Sequence, residues 1–157
     1  MTERVIAENV VRLATAADAV AVGRLLHDFN VEFDDPTPPA DALAERIVQL
    51  LDADASVLVG GAGPEGVAVL RFRPALWTTN LECYLAELYV VPQRRGKGLG
   101  RALLVAAMDH ARERGADYMD LGTSETDTVA RALYESVGFS NREHGDGSVS
   151  LYYEREL

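Results

Sequence analysis

Residues 93–104, written QRRGKGLGRALL, restrict the possible folds of this chain more than any other segment. Three glycines at alternate positions, Gly96, Gly98 and Gly100, follow an apolar strand-like run and precede a helix-like one. Glycine lets backbone N–H groups approach a ligand closely, and a helix N-terminus adds the positive end of its dipole. Four basic residues add full charges in an otherwise acidic chain: Arg94, Arg95, Lys97 and Arg101. The segment predicts a pyrophosphate-binding loop between a strand and a helix.

Other phosphate-binding motifs fit this segment less well. A GxGxxG dinucleotide loop that begins at Gly96 requires glycine at position 101, which is occupied by Arg101. The Walker pattern GxxxxGK[ST] does not occur in the sequence. The structural alternative is a basic turn that only caps the following helix.

Length, charge and cysteine content narrow the class of protein. The 157 residues fit one domain, residues 1–157, with a single core. Cys83 is the sole cysteine and the three histidines are far apart, so no metal site is predicted. The net charge of −10 argues against a nucleic-acid partner and suits either cationic partners such as amines or a purely solubilising surface. No signal peptide or membrane span is evident, so we expect a cytoplasmic protein with no membrane association.

Apolar periodicity and turn residues predict a mixed α/β order of elements. Asp18 is predicted to cap a helix that runs to about Asn30, with Val22, Leu25, Leu26 and Phe29 on one face. Short turns join the central strands, so they pair antiparallel, whereas the strand–helix–strand unit 82–121 is long enough for a parallel crossover. The strands are predicted at 10–15, 56–59, 67–73, 82–91, 117–121, 139–142 and 148–154, and the helices at 18–30, from 39 onward, at 99–114 and at 127–137. The last two strands form a hairpin.

The stretch LAELYVVPQRRGKGLGRALL resembles motif A of the GNAT N-acetyltransferase superfamily, whose pattern Q/R-x-x-G-x-G/A is met by Arg95, Gly98 and Gly100. The resemblance implies a GNAT-like acyl-CoA N-acyltransferase fold: a mostly antiparallel sheet with one parallel strand pair and helices on both faces. It also implies acetyl-CoA as cosubstrate, without a metal. By that resemblance the pantetheine arm lies against Leu88, Tyr89 and Val90. The pyrophosphate contacts Arg95, Gly96, Lys97, Gly98, Leu99, Gly100 and Arg101.

Residues 127–139, DTVARALYESVGF, resemble motif B of the same superfamily. Asp127 stands where the family commonly has asparagine; aspartate can still cap a helix but lacks the amide donor that contacts the cofactor. Tyr134 matches the family tyrosine close to the CoA sulfur, which implies that it is the general acid. The alternative for Tyr134 is an ordinary tyrosine packed on an amphipathic helix.

Amine acetylation requires a base, because a primary amine with a pKa of about 10 is mostly protonated at neutral pH. Glu87, on the strand before the glycine loop, is the candidate general base. Alternatively, Glu87 bonds a neighbouring strand or anchors a cationic substrate. Glu82 is the other carboxylate on this strand, and strict alternation puts it on the opposite face unless a bulge intervenes. A backbone N–H near Tyr89 or Val90 is the expected oxyanion donor.

The GNAT resemblance implies that the first two helices and the loop before the motif A strand line the acceptor site. Aromatic residues among carboxylates suit a cationic amine: Phe29, Glu32, Phe33 and Trp77. The alternative is a solvated acidic helix end with the phenylalanines in the core. The leading hypothesis is acetylation of a small polyamine-like or aminoglycoside-like amine. A protein N-terminal or lysine acetyltransferase, a non-catalytic acyl-CoA-binding regulator and a nucleotide-phosphate binding module remain alternatives. The family resemblance also suggests a homodimer.

Overall fold

A computed structural model of the chain describes residues 8–157, in which five strands form one sheet in the order β1-β2-β3-β4-β5. The prediction that the chain starts without a signal peptide rests mainly on residues 1–7, which lie outside the described residues. The elements are β1 Val11–Leu13, α1 Ala19–Glu32, α2 Ala40–Leu51, β2 Ala55–Gly60, β3 Gly66–Pro74, β4 Leu81–Val90, α3 Leu99–Glu113, β5 Ala116–Asp120 and α4 Thr128–Ser136. Within residues 8–157, no helix is long and apolar enough to cross a membrane.

The sheet is mixed, as the order of elements predicts. Strands β1 to β4 pair antiparallel with their neighbours, and β4 pairs parallel with β5. The chain divides into two compact units, the first ending at Leu121 and the second formed by Gly122–Leu157. The whole sheet therefore belongs to the first unit, and α4 belongs to the second. The prediction of a single domain stays a prediction.

Helices α1 and α2 cover one face of the sheet, here called the first face. Apolar side chains that alternate along β2 and β3 meet the predicted apolar face of α1 and a matching face of α2. Full burial of each such side chain contributes roughly 1.5–3 kcal/mol. The buried members of this cluster include Val22 and Leu25 of α1, Ile47 of α2, Val57 and Val59 of β2, and Val67 and Val69 of β3.

Helix α3 covers the opposite face, and two glycines make room for it. A Cβ atom at Gly60 would lie 2.8 Å from Leu99, and one at Gly66 would lie 2.7 Å from Leu103. Both leucines are fully buried. Larger residues at these two positions would force α3 away from the sheet, because packed cores accommodate little extra volume. The glycines at the ends of β2 and β3 thus fix the position of the helix that follows the glycine loop.

A β-bulge in β4 decides which side chains share the first face. Val69 pairs with Glu87, but the next residue of β3, Leu70, pairs with Leu85. Ala86 is therefore the extra residue, and it shifts the alternation of side chains along β4. Glu82 pairs with Arg73 and Glu87 pairs with Val69. Arg73 and Val69 are four residues apart on β3, so their side chains point to the same face. Glu82 and Glu87 consequently lie on the same face, which corrects the prediction from strict alternation.

Asp18 does not cap α1 as the sequence predicts. A 3₁₀ turn, Ala16–Asp18, precedes the helix, and the Asp18 carboxylate faces back into that turn. It accepts a hydrogen bond from the Thr15 N–H at 2.8 Å and pairs with the Arg12 guanidinium at 2.8 Å. These partners hold the pKa of Asp18 well below its usual range. Arg12 lies in β1, so its ion pair with Asp18 connects this strand to the start of α1.

The predicted hairpin of 139–142 and 148–154 is wrong as a pair of regular strands. One bridge joins Arg142 to Val149, and the Glu143 N–H donates to the Ser148 carbonyl at 2.9 Å. A 3₁₀ turn, Glu143–Gly145, lies between these positions. The intervening segment is polar and rich in glycine, and it buries no apolar face that would extend the pairing.

Candidate active site

The glycine loop has the backbone geometry of an anion site. Gly98 is the N-cap of α3 with a φ of 91°, and Gly96 has a φ of 73°. Glycine adopts this left-handed region without the steric penalty of a side chain. No described side chain caps α3, so the N–H groups of its first turn remain for a ligand. This arrangement fits the pyrophosphate that the motif predicts.

Arg94 connects the glycine loop to other parts of the protein. Its guanidinium pairs with Glu65 in the β2–β3 turn and donates to the Asn9 side-chain oxygen at 3.2 Å. The amide of Asn9 in turn donates to the Lys97 carbonyl at 2.9 Å. Only 12% of the Arg94 side chain is exposed. Its charge is therefore used within the protein, and sequence reasoning missed Asn9 because its partners are distant in the chain.

Arg95 and Glu32 bind each other. The Arg95 guanidinium donates to Glu32 Oε1 at 2.8 Å and to the Val90 carbonyl at 3.0 Å. It also lies 5.6 Å from the centre of the Tyr89 ring. The Tyr89 hydroxyl donates to the same Glu32 oxygen at 3.1 Å. The structure thus pairs a residue predicted to hold the pyrophosphate with one predicted to hold the acceptor.

The outer edge of β4 is open along the segment predicted to meet pantetheine. Pairing with β5 ends at Tyr84 within the described residues, whereas pairing with β3 continues to Val90. The Val91 N–H donates to Glu65 on the β3 side at 2.9 Å. Because backbone groups alternate along an antiparallel strand, the N–H groups of Leu88 and Val90 point to the open edge. Tyr89 directs its backbone toward β3 instead, which removes it from the candidate oxyanion donors.

Glu87 is a partly buried carboxylate beside that edge. It accepts no hydrogen bond from any residue in the range 8–157. Burial raises its pKa first of all; the positive charge of Arg71 opposes the rise, and the negative charge of Asp35 adds to it. Glu82 differs, because it pairs with Arg73 at 2.7 Å. A carboxylate with a raised pKa and no partner has the properties of a general base.

The neighbours of Glu87 were not identified from the sequence. Arg71 lies two residues after Val69 on β3, so the two side chains point to the same face of the sheet. Glu87 pairs with Val69 and is therefore on that face as well. Asp35 belongs to the loop between α1 and α2.

In the part of the chain that the structure describes, no group of three or more His, Cys, Asp or Glu could hold a metal.

The motif B residues lie in the second unit, and Asp127 caps α4 as predicted. Its carboxylate accepts the Ala130 N–H at 3.1 Å. The helix ends at Ser136, and Gly138 follows it with a φ of 100°; the Phe139 N–H donates to the Tyr134 carbonyl at 3.1 Å. Burial and then the negative charge of Asp127 raise the pKa of Tyr134. Its phenol therefore stays protonated at neutral pH.

The predicted acceptor residues occupy two separate places. Phe29 stacks with Phe33 at 5.3 Å and meets Tyr89 edge-on at 5.0 Å, so it belongs mainly to the core of the first face. Phe33 is 52% exposed at the end of α1. Trp77 is 88% exposed in the β3–β4 loop and lines a depression of about 480 Å³ together with Tyr118. No residue of α1 lines that depression.

Comparison with known proteins identifies the family. The sequence profile described as the Acetyltransferase (GNAT) family matches residues 21–139. The chain belongs to the GNAT acetyltransferase family. A crystal structure from Arthrobacter sp. FB24, named as an acetyltransferase, is 48% identical to this GNAT protein with a TM-score of 0.87, covering 94% of this chain and 96% of that one.

Two curated relatives differ in how much they share with this GNAT protein. The aminoglycoside N(6')-acetyltransferase type 1 of Stenotrophomonas maltophilia is 31% identical over 140 residues, which cover 85% of this chain and 87% of that protein. The mycothiol acetyltransferase of Thermobispora bispora is 49% identical over 74 residues, or 45% of this chain. This chain spans only 23% of that protein's length.

Replacing Gly98 with alanine tests the glycine loop. A Cβ atom there would lie 3.3 Å from the Asn9 amide, and the φ of +91° is strained for any side chain. We expect Gly98→Ala to weaken acetyl-CoA binding by about tenfold or more, measured by calorimetry, because the loop can no longer present its N–H groups. Gly63→Ala is the matched control, since a Cβ at Gly63 meets nothing within 4 Å. Unchanged affinity in Gly98→Ala would contradict the assignment of this loop.

Proposed function

We propose that this GNAT protein transfers the acetyl group of acetyl-CoA to a primary amine of a small, cationic, polyamine-like or aminoglycoside-like acceptor. The observation that carries the proposal is Glu87: a desolvated carboxylate with a raised pKa, on the strand whose outer edge is unpaired beyond Tyr84 within the described residues. The side-chain environment suits a group that removes a proton, because burial brings its pKa closer to the working pH.

The residues fit acetyl-CoA, which supplies a thioester carbonyl as the electrophile. The uncapped start of α3 would take the pyrophosphate, with the charges of Lys97 and Arg101 nearby in sequence. The open edge of β4 would pair with the pantetheine arm through the backbone of Leu88 and Val90. One of these two N–H groups would then donate to the developing oxyanion.

Glu87 and Tyr134 would divide the proton transfers. Glu87 accepts a proton from the ammonium group and passes it to solvent, so that the neutral amine can attack the thioester carbonyl. As the C–S bond breaks, the nitrogen of the new amide loses its second proton to Glu87. Tyr134 donates its phenolic proton to the departing thiolate and recovers one from solvent. No protein nucleophile is needed. Cys83 does not take part, because it is fully buried and burial raises its pKa to about 11.

The choice of a cationic acceptor rests on charge and on a relative. The chain has a net charge of −10, and the S. maltophilia relative is an aminoglycoside acetyltransferase. We expect CoA release with polyamines and aminoglycosides, and a KM for them that rises several-fold between low salt and about 0.5 M salt, because screening weakens attraction at the surface. A zwitterionic primary amine, which also carries a carboxylate and so has no net charge, is the control acceptor, and its KM should change less.

Other outcomes of that panel would change the assignment. Turnover only with peptides would indicate a protein acetyltransferase, and acetyl-CoA binding without turnover of any amine would indicate a non-catalytic regulator. We also propose a cytoplasmic homodimer, which light scattering of the purified protein and cell fractionation would test.

A further inference from the structure

The contacts of Arg95 differ from those of the other basic residues in the glycine loop. The Lys97 ammonium group makes no hydrogen bond or ion pair with any residue of the range 8–157, and Arg94 pairs with Glu65. Arg95 reaches from the loop to α1, where it binds Glu32. Its Nε–H is bound at the same time to the Val90 carbonyl, on the open edge of β4.

The Glu32 carboxylate likewise has its partners within the protein. Its Oε1 atom accepts from both Arg95, at 2.8 Å, and the Tyr89 hydroxyl, at 3.1 Å. Only 28% of its side chain is exposed, and 43% of that of Arg95. A carboxylate that already has a guanidinium and a phenol as partners offers little charge to a second cation. Glu32 is thus poorly suited to bind the acceptor amine directly.

Glu32 is also the last residue of α1, and the chain that follows it turns back onto the helix. The Asp35 N–H donates to the Asn30 carbonyl at 2.9 Å, and the Asn30 side chain donates to the Pro36 carbonyl at 3.2 Å. Residues 33–39, here called the acceptor-side segment, are therefore fixed to the end of α1. Asp35 in this segment is one of the charges that act on Glu87.

We infer that Arg95 and Glu32 are a pair of positioning residues that couple the open edge of β4 to the acceptor-side segment. This inference rests on the proposed function. The guanidinium connects the Val90 carbonyl, beside the cosubstrate, with the carboxylate that anchors the end of α1. Breaking the pair loosens the segment that carries Asp35 and impairs use of the amine, while the pyrophosphate keeps its ligands in the loop.

The test compares Arg95→Gln, Glu32→Gln and the double variant with Lys97→Gln. At saturating acetyl-CoA, each single variant should lower kcat/KM for the amine by about tenfold, and the double variant should be no worse than either, since both remove one interaction. Their Kd for acetyl-CoA should stay within about threefold of wild type, whereas Lys97→Gln should raise it about tenfold. If Arg95→Gln weakens acetyl-CoA binding as much as Lys97→Gln does, and Glu32→Gln does not, then Arg95 is a pyrophosphate ligand and the inference is overturned.

A second measurement does not depend on turnover. Amide hydrogen exchange at Asp34 and Asp35 should be faster in Arg95→Gln and Glu32→Gln than in wild type or Lys97→Gln, because the anchor of the segment is lost. Equal exchange in all variants would overturn the coupling. Absence of amine turnover by the wild-type protein would refute the proposed function instead, and the exchange rates would still decide whether the pair holds the segment.

Discussion

Glu87→Gln is expected to lower kcat for the amine acceptor by about 10²–10³-fold while leaving the affinity for acetyl-CoA close to that of wild type. Glutamine keeps the shape of the side chain but cannot accept a proton. In the proposed binding mode the cosubstrate contacts the backbone of β4 and the start of α3, and the substitution changes neither. Stopped assays of CoA release and calorimetry measure the two quantities separately.

The pH dependence gives an independent check on Glu87. Burial raises the pKa of this carboxyl, so kcat/KM of the wild type should increase with pH through a value above that of an ordinary glutamate. Glu82→Gln is the matched control, because Glu82 lies on the same strand and face but pairs with Arg73. Its pH profile should be that of the wild type. Full activity of Glu87→Gln would leave Glu87 as a structural or anchoring residue.

The same substitution should stabilise the fold, since the raised pKa means that burial penalises the charged form. The stability associated with protonated Glu87 is fully present below the pKa of the unfolded chain and is lost as pH rises through the higher folded-state pKa. The Tm of Glu87→Gln should therefore exceed that of the wild type above this range. The difference should shrink as the medium is acidified. A carboxylate with a purely structural role would show the opposite sign.

Local patterns in the sequence predicted the parts of the site that local geometry determines. The start of α3 after the glycine loop and the Asp127 cap depend on residues within one or two turns of each other, and the structure shows both. That the glycines bind a ligand stays a prediction. The α1 face that packs on the sheet is confirmed for the same reason, since helical periodicity is a property of the segment itself.

The partners of the loop arginines could not be predicted in this way. Glu65 lies 29 residues before Arg94, and Glu32 lies 63 residues before Arg95. A cluster of positive charge beside a glycine loop suggests a phosphate ligand, but the fold brings carboxylates to two of its members first. The bulge at Ala86 is a similar case, because it depends on how β4 pairs with β3 and not on the alternation within β4.

Tyr134→Phe is expected to lower kcat by about 10²-fold, with the affinity for acetyl-CoA unchanged. Phenylalanine preserves the ring and its edge-to-face contact with Phe139, at 6.1 Å between centroids, and removes only the hydroxyl. Loss of the proton donor would force the thiolate to leave unprotonated. The defect should therefore shrink for acyl donors whose thiol has a low pKa, such as an aryl thioester, and comparison of the two donors measures this.

Asp127→Asn separates the acid role of Tyr134 from simple packing. Asparagine keeps a side-chain oxygen for the Ala130 N–H, so the cap and the stability of α4 should be retained. It removes the negative charge that contributes to the raised pKa of Tyr134. If activity declines at high pH because the phenol ionises, the decline should begin at a lower pH in Asp127→Asn than in the wild type. It should be absent in Tyr134→Phe, whose residual activity has no phenol to titrate. An identical alkaline limb in all three proteins would assign that limb to another group and leave Tyr134 a packing residue.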